Sequence, residues 1–259
     1  MRAFLKKILD PKKEKSHHLK DAQTSENTRI FAIGDIHGRA DLLQKMLKTI
    51  FHEICDISDK KENKIVFLGD YIDRGNQSYE VLEILTQPAP RGIEYVFIKG
   101  NHEEILLNFL KDPTQNSSWF QHGGAETLLS YKVSMDMGKI DKNQLKGVAK
   151  KLKAALPEVH KKFLISLLDS YEDGNYYFTH AGIDPNLPLT AQKNSDLRWI
   201  RDKFINHTSL YEKIIVHGHT ITKDVQLLKN RIAVDTGAYY SGKLSCIVLD
   251  GQTKRVLQT

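Results

Sequence analysis

The chain has 259 residues, of which 40% are apolar and 27% charged, with a net charge of +6. That length holds one large domain or two small ones, and the composition is that of an ordinary globular protein. No apolar stretch approaches the roughly 20 residues needed to cross a bilayer, and two cysteines without CxxC spacing argue against a disulfide framework and for a reducing cytoplasm.

Residues 1–28 stand apart, with seven Lys/Arg against four acids and no apolar period. Disorder is expected from about Asp10 to Thr28. Lys6 and Lys7 interrupt the apolar run Met1–Leu9, so no export signal is expected. Phe4, Leu5, Ile8 and Leu9 could group on one or two turns and touch an anionic membrane surface weakly. A solvated basic tail is the better reading, because so short a helix is marginal alone. The charge left for the body is small, and no nucleic-acid motif accompanies it; it mildly favours anionic substrates.

The body begins at Arg29. Ile30-Phe31-Ala32-Ile33 is a buried strand ended by Gly34. Asp41 to Ile54 carries Leu42, Leu43, Met46, Leu47 and Ile50 at helical spacing. Lys64 to Leu68 is a second strand, Tyr79 to Leu85 a second helix stopped by Pro88 and Pro90, Ile93 to Ile98 a third strand and Glu103 to Leu110 a third helix. This alternation predicts mainly parallel strands with helices outside. From about residue 112 to 169 helix formers dominate, which predicts a helical cap at the mouth of the site. Strands return at Tyr176–Thr179, Lys213–Val216, Arg231–Val234 and Leu244–Leu249. Two packed sheets with helices on both outer faces are the natural architecture.

Five fragments carry the chemistry: Gly34-Asp35-Ile36-His37-Gly38, Gly69 to Gly75 (GDYIDRG), Gly100-Asn101-His102-Glu103, His180-Ala181-Gly182 and His217-Gly218-His219-Thr220. Most follow an apolar run, so oxygen and imidazole ligands sit at strand tips where loops converge. Asp35 and His37 are two apart and share one side of an extended segment. Asp70 has two oxygens and can bridge two ions. Asn101 adds a neutral oxygen, and His180 and His219 add imidazoles. The six give Asp/His/Asp to one metal and Asp/Asn/His/His to another, with Asp70 shared. Two such ions would sit about 3.5–4 Å apart and activate water against a phosphate ester. An all-O,N set suits Mn, with Fe or Zn as alternatives, better than a structural zinc site. Any fragment alone could be turn chemistry, and a lone His180 a satisfied core histidine; the ordered set of five is hard to produce that way.

The set resembles the phosphoprotein phosphatase family of the metallophosphoesterase (calcineurin-like) superfamily, and GDYIDRGNQS at 69–78 is its most specific stretch. The bacterial serine/threonine branch is similar also at Trp119 to Tyr131, at Trp199-Ile200-Arg201 and at Asp235 to Ala238. The resemblance covers roughly residues 29–250. It implies a four-layer α/β/β/α fold of two mixed sheets packed face to face, filling 29–259 with a cap insertion at about 112–169. It implies Asp35, His37, Asp70, Asn101, His180 and His219 as metal ligands, and His102 as the general acid held by Asp73. Arg74 and Arg201 would clamp the phosphate, with Asn101 also touching substrate. The implied reaction is direct attack by metal-bound hydroxide on phosphoserine or phosphothreonine in proteins, without a phosphoenzyme. A dinucleoside polyphosphate or other small phosphoester would suit the same centre. A non-catalytic scaffold would have lost a ligand or the acid, and none is lost.

The chain departs from that pattern at His122, where relatives usually show Asn, at Arg198, which could compete with Arg201, and at Ile221. His217 could line the site. His52 and His160 read as surface or packing residues, His17-His18 as tail, Arg39 as pocket lining or helix start, and Tyr239-Tyr240 as a rim without a geometric warrant.

Overall fold

The computed structural model describes residues 18–57, 59–136 and 140–259. β1 (Thr28–Ile33) leads to α1 (Ala40–Asp56), β2 (Glu62–Phe67) to α2 (Ser78–Leu85), and β3 (Ile93–Phe97) to α3 (Asn101–Lys111). The three strands are parallel neighbours. Along β1, Phe31 and Ile33 enter the core under the helices, whereas Ile30 and Ala32 enter the core between the sheets. This is the period of two of a strand buried on both faces, and it explains the unbroken apolar run.

A 3-10 turn at Ser117–His122, α4 (Gly124–Ser130), α5 (Lys142–Ala155) and α6 (Glu158–Ser166) form the insertion. It is helical, as its composition predicts, but only its first part approaches the site. Leu145, Val148, Ala149 and Leu152 of α5 and Phe163 and Leu164 of α6 join the core that holds Phe31 and Phe67. Phe163 meets Phe97 edge-on at 4.8 Å between centroids. The expected cap is therefore largely an outer layer: these apolar helix faces bury against the first sheet and not over the pocket.

The second half contains β4 (Ser170–Asp173), β5 (Tyr176–Thr179), α7 (Asn194–Trp199), α8 (Asp202–Ile205), β6 (Ile214–His217), β7 (Gln226–Leu227), β8 (Arg231–Ala233), α9 (Ala238–Ser241), β9 (Ser245–Asp250) and β10 (Thr253–Gln258). The first sheet runs β10-β9-β1-β2-β3 and the second β4-β5-β6-β8-β7. Both mix parallel and antiparallel pairs. Val66 and Val96 face Phe178, Val216 and Ile232 between the sheets. Tyr177 and Ile215 point outward to Leu197 and Phe204. The layers are helix, sheet, sheet, helix.

One boundary needs correction. From His18 onward, the segment expected to be disordered lies against the body. Leu19, Ala22 and Thr24 are buried. The amides of Leu19 and Thr24 donate to the carbonyls of Lys229 and Gly251, and Lys254 Nζ donates to Ala22 O at 2.7 Å. Attachment runs largely through backbone groups, which composition does not reveal. The expectations for residues 1–17, including the membrane contact, lie outside the described residues. No described helix is long and apolar enough to cross a membrane.

Candidate metal centre

The five fragments meet where the strands of both sheets end. Among the described residues, seven non-glycine positions have positive φ, and five of them are His37, Asp70, Asp73, Arg74 and His219. Strand ends thus turn through left-handed corners that most side chains avoid. Two glycines permit close approach. A Cβ on Gly100 would lie 2.1 Å from Asp70 Oδ1, and one on Gly218 would lie 2.1 Å from Asp35 Oδ1.

Asp70 stands at the centre. Its Oδ2 is 3.4 Å from His37 Nε2 and 3.8 Å from His102 Nε2, and its Oδ1 is 3.4 Å from His180 Nε2. Two donor groups result: His37, Asp70 and His102, and Asp70, His180 and His219, each with ligand atoms within 4.8 Å of one another. Asn101 Oδ1 lies 2.9 Å and His219 Nδ1 3.2 Å from His180 Nε2. His37 Nδ1 faces the Ile72 carbonyl at 2.9 Å and His180 Nδ1 faces Leu68 O at 2.8 Å. Each Nδ1 is thus placed to donate to a carbonyl, which leaves Nε2 facing the centre, the arrangement of a metal-ligating imidazole. Around His180 Nε2 converge Asp70 Oδ1, Asn101 Oδ1 and His219 Nδ1. His219 Nε2 is buried and has no partner. Divalent ions fit this donor set.

The charges agree. Burial favours protonated Asp70, but the imidazoles of His180 and His102 outweigh it and hold the carboxyl well below its ordinary value. Burial disfavours charge on His180, yet Asp70 and Asp35 push it up to about 10. Burial and the neighbouring His102 bring His37 down to about 3, and burial with His180 brings His219 down to about 2. The site thus demands positive charge near His180 while keeping two flanking imidazoles neutral.

Asp35 is buried and accepts the amide of His219 at 3.1 Å. It belongs to neither three-residue donor group. Burial and then the Asp235 carboxylate raise its pKa. His102 shows a second difference: it is a member of the first donor group, although the sequence reading makes it the acid. Its Nδ1 is engaged by Asp73 Oδ2 at 2.8 Å, so only Nε2 faces the centre. Burial lowers its pKa, and Asp70 and Asp73 more than restore it.

Several residues that position the site were not singled out in the sequence. Trp119 Nε1 donates to both Asp73 oxygens at 3.1 and 3.0 Å, and Thr127 Oγ1 donates to Oδ1 at 2.6 Å. Glu103 is buried and accepts the amides of Asp70 (3.0 Å), Tyr71 (2.8 Å) and Gly100 (2.9 Å). Its place three residues after Gly100, at the start of α3, is a capping-box signal that was available. Burial and Asp70 raise its pKa to about 7.

Arg198 is tied to Asp169 and Glu104. Arg201 has no such partner, and its charge acts on His219. Arg74 lies near enough to depress His37 and His102. His122 packs against His102 and Trp199 at 6.0 and 6.4 Å between ring centroids. His217 stays outside both donor groups, with Nδ1 facing Gly218 O and its ring against Phe204. His160 is buried on Tyr131, and His52 is exposed beside Asp56.

A family model described as calcineurin-like phosphoesterase matches residues 28–237. The chain is 27% identical over 228 residues to serine/threonine-protein phosphatase 2 of Escherichia coli (strain K12), covering 83% of this chain and 90% of that one. It is 26% identical over 235 residues to the asymmetrical bis(5'-nucleosyl)-tetraphosphatase PrpE of Oceanobacillus iheyensis, covering 84% and 87%. A crystal structure of a candidate diadenosine tetraphosphatase superposes with a TM-score of 0.58 at 19% identity, covering 91% of this chain and 95% of that one. At that identity the likeness is one of fold.

Proposed function

The chain belongs to the calcineurin-like phosphoesterase family, and from that premise we propose that it hydrolyses phosphoserine and phosphothreonine in proteins with two divalent metal ions, Mn foremost. The observation that carries the metal-dependent hydrolysis is Asp70, shared by two donor groups on the two sides of its carboxylate; the choice of phosphoserine and phosphothreonine rests on the GDYIDRG stretch. His37, Asp70 and Asp35 would hold one ion, and Asp70, Asn101, His180 and His219 the other. Bound ions would supply Lewis acidity and an activated water.

The remaining steps belong to the chain. Arg74 and Arg201, whose charges act on His37 and His219, would grip the non-bridging oxygens of one phosphoryl group with their guanidinium forks. His102 gives the Nε2 proton to the departing alkoxide. Asp73 keeps Nδ1 protonated and stabilises the imidazolium, and Trp119 and Thr127 hold Asp73 in place. Burial of His102 and Asp73 keeps bulk water from competing for that proton. The free thiols at Cys55 and Cys246 suit a cytoplasmic site of action.

A second reading has its own support. Trp199 is 39% exposed and Tyr240 63% exposed near the mouth, and such rings could stack on nucleobases. That would suit a dinucleoside polyphosphate. With Mn supplied, kcat/KM on phosphoserine and phosphothreonine peptides should exceed that on diadenosine tetraphosphate. The reverse order would replace the first reading by the second.

A further inference from the structure

Among the described residues, no carboxylate pairs with the Arg74 guanidinium. Instead, its head lies over the ring of Tyr239, 4.9 Å from guanidinium carbon to centroid. A face-on ring attracts the cation through its quadrupole and uses none of its five N–H donors. A carboxylate would consume them, as Asp169 and Glu104 consume those of Arg198.

Tyr239 sits on α9, a helix of four residues that cannot support itself. Two contacts fix its start. Asp235 Oδ1 accepts the Gly237 amide at 2.8 Å, and Arg39 Nη1 donates to the Ala238 carbonyl at 2.9 Å. Arg39 is locked by a two-pronged pair with Asp41 at 2.8 and 2.7 Å. The Asp41 amide in turn donates to Gln77 Oε1 at 3.3 Å, in the stretch that follows Arg74. The contacts close a ring from the start of α1 through α9 and Tyr239 to the Arg74 loop and back. The Tyr239 ring also meets His37, at 5.5 Å between centroids and 84° between planes. The ring thus contacts both an imidazole of the donor set and the guanidinium.

We propose that Tyr239, pinned through Ala238 by Arg39, is the positioning residue for Arg74, holding its guanidinium over the site with every donor free for phosphate oxygens. The proposal rests on the reading of Arg74 as a phosphate ligand.

The test uses the full chain loaded with Mn and reads KM, kcat and the competitive inhibition constant of inorganic phosphate. Tyr239→Leu should weaken phosphate inhibition about 3- to 10-fold. Tyr239→Phe, which keeps the ring, should recover most of that loss. Arg39→Ala should move the constant in the same direction by less. In an Arg74→Ala background, Tyr239→Leu should add nothing, because the two residues act as one unit. If Tyr239→Leu costs as much with Arg74 absent as with it present, or if Phe is as damaging as Leu, the positioning role is wrong while Arg74 remains a phosphate ligand. If Arg74→Ala leaves phosphate inhibition unchanged, both that reading and the proposal fall. Melting curves of each variant separate a lost fold from a lost contact.

Discussion

The two sheets hold the centre by different means. Loops of the first sheet supply Asp35, His37, Asp70, Asp73, Arg74, Asn101 and His102, and nearly every one is tied by a protein partner. Ile72 holds His37, Asp73 holds His102, and Glu103 holds the amides beneath Asp70 and Asn101. The second sheet supplies only His180 and His219. His180 is anchored across the gap on Leu68, a residue of the first half. The buried His219 ring meets His180 and Trp199, but among the described residues its Nε2 has no hydrogen-bond partner. The first sheet is a frame carrying the negative charge, and the second closes it with two imidazoles, His180 drawn toward the charged form by Asp70 and His219 kept neutral by burial. The comparison teaches that the site should be steeply graded in sensitivity.

The largest effect should come from the hinge of that frame. Asp70→Asn removes the charge common to both donor groups, and elemental analysis should find both metals depleted and turnover reduced by several orders of magnitude. Retention of two metals per chain would break the comparison at its centre.

Removing the acid comes next. His102→Ala should lower kcat about 10²- to 10⁴-fold for alkyl phosphates and much less for aryl phosphates, whose leaving groups need little protonation. The Asp73–His102 pair also sets a pH limit. Because Asp70 and Asp73 raise the His102 pKa against its burial, the acid stays loaded below that raised pKa, and kcat falls as pH climbs through it. Asp73→Asn withdraws support from the imidazolium, so the alkaline limb of kcat should move to lower pH. An unmoved limb would assign it to another group.

The loose corner should be weaker. His219→Ala should weaken binding of one ion while leaving the other in place, measured by metal titration. Equal loss of both ions would show that the sheets are more evenly coupled than their contacts indicate. The smallest effect belongs to Arg198→Ala. Its fork is spent on Asp169 and Glu104, so kcat/KM should change little and stability by about 1 kcal/mol or less. Arg201→Ala in the same assay should cost far more, because that guanidinium, with no carboxylate partner among the described residues, is the one proposed to bind phosphate.

The same contrast explains what could be read in advance. Strands β1, β5 and β6 are buried along their whole length and β2 over its last three residues, so they announce themselves as apolar runs; β3, buried only at Val96, is legible from its apolar residues alone, and each of the five is ended by a chemically loaded fragment. β4, β7 and β10 did not, because Ser170–Asp173 and Gln226–Leu227 are short and polar and Thr253–Gln258 is mostly exposed. The converging residues were legible because each is local to a strand end. The supports were not: Trp119 and Thr127 reach Asp73 across 46 and 54 positions, and no periodicity encodes such a contact. Tyr239 had no sequence warrant for the same reason.

The left-handed corners at His37, Asp70, Asp73, Arg74 and His219 bear on any laboratory search for new metal selectivity. A randomised library at these places is filtered by sterics before chemistry is tried. Val, Ile and Thr fail on the main chain alone, while Asn, Asp, His and Gly pass. The accessible alphabet is thus nearly the one that already coordinates ions, and productive diversity must be sought in the straighter segments behind these corners.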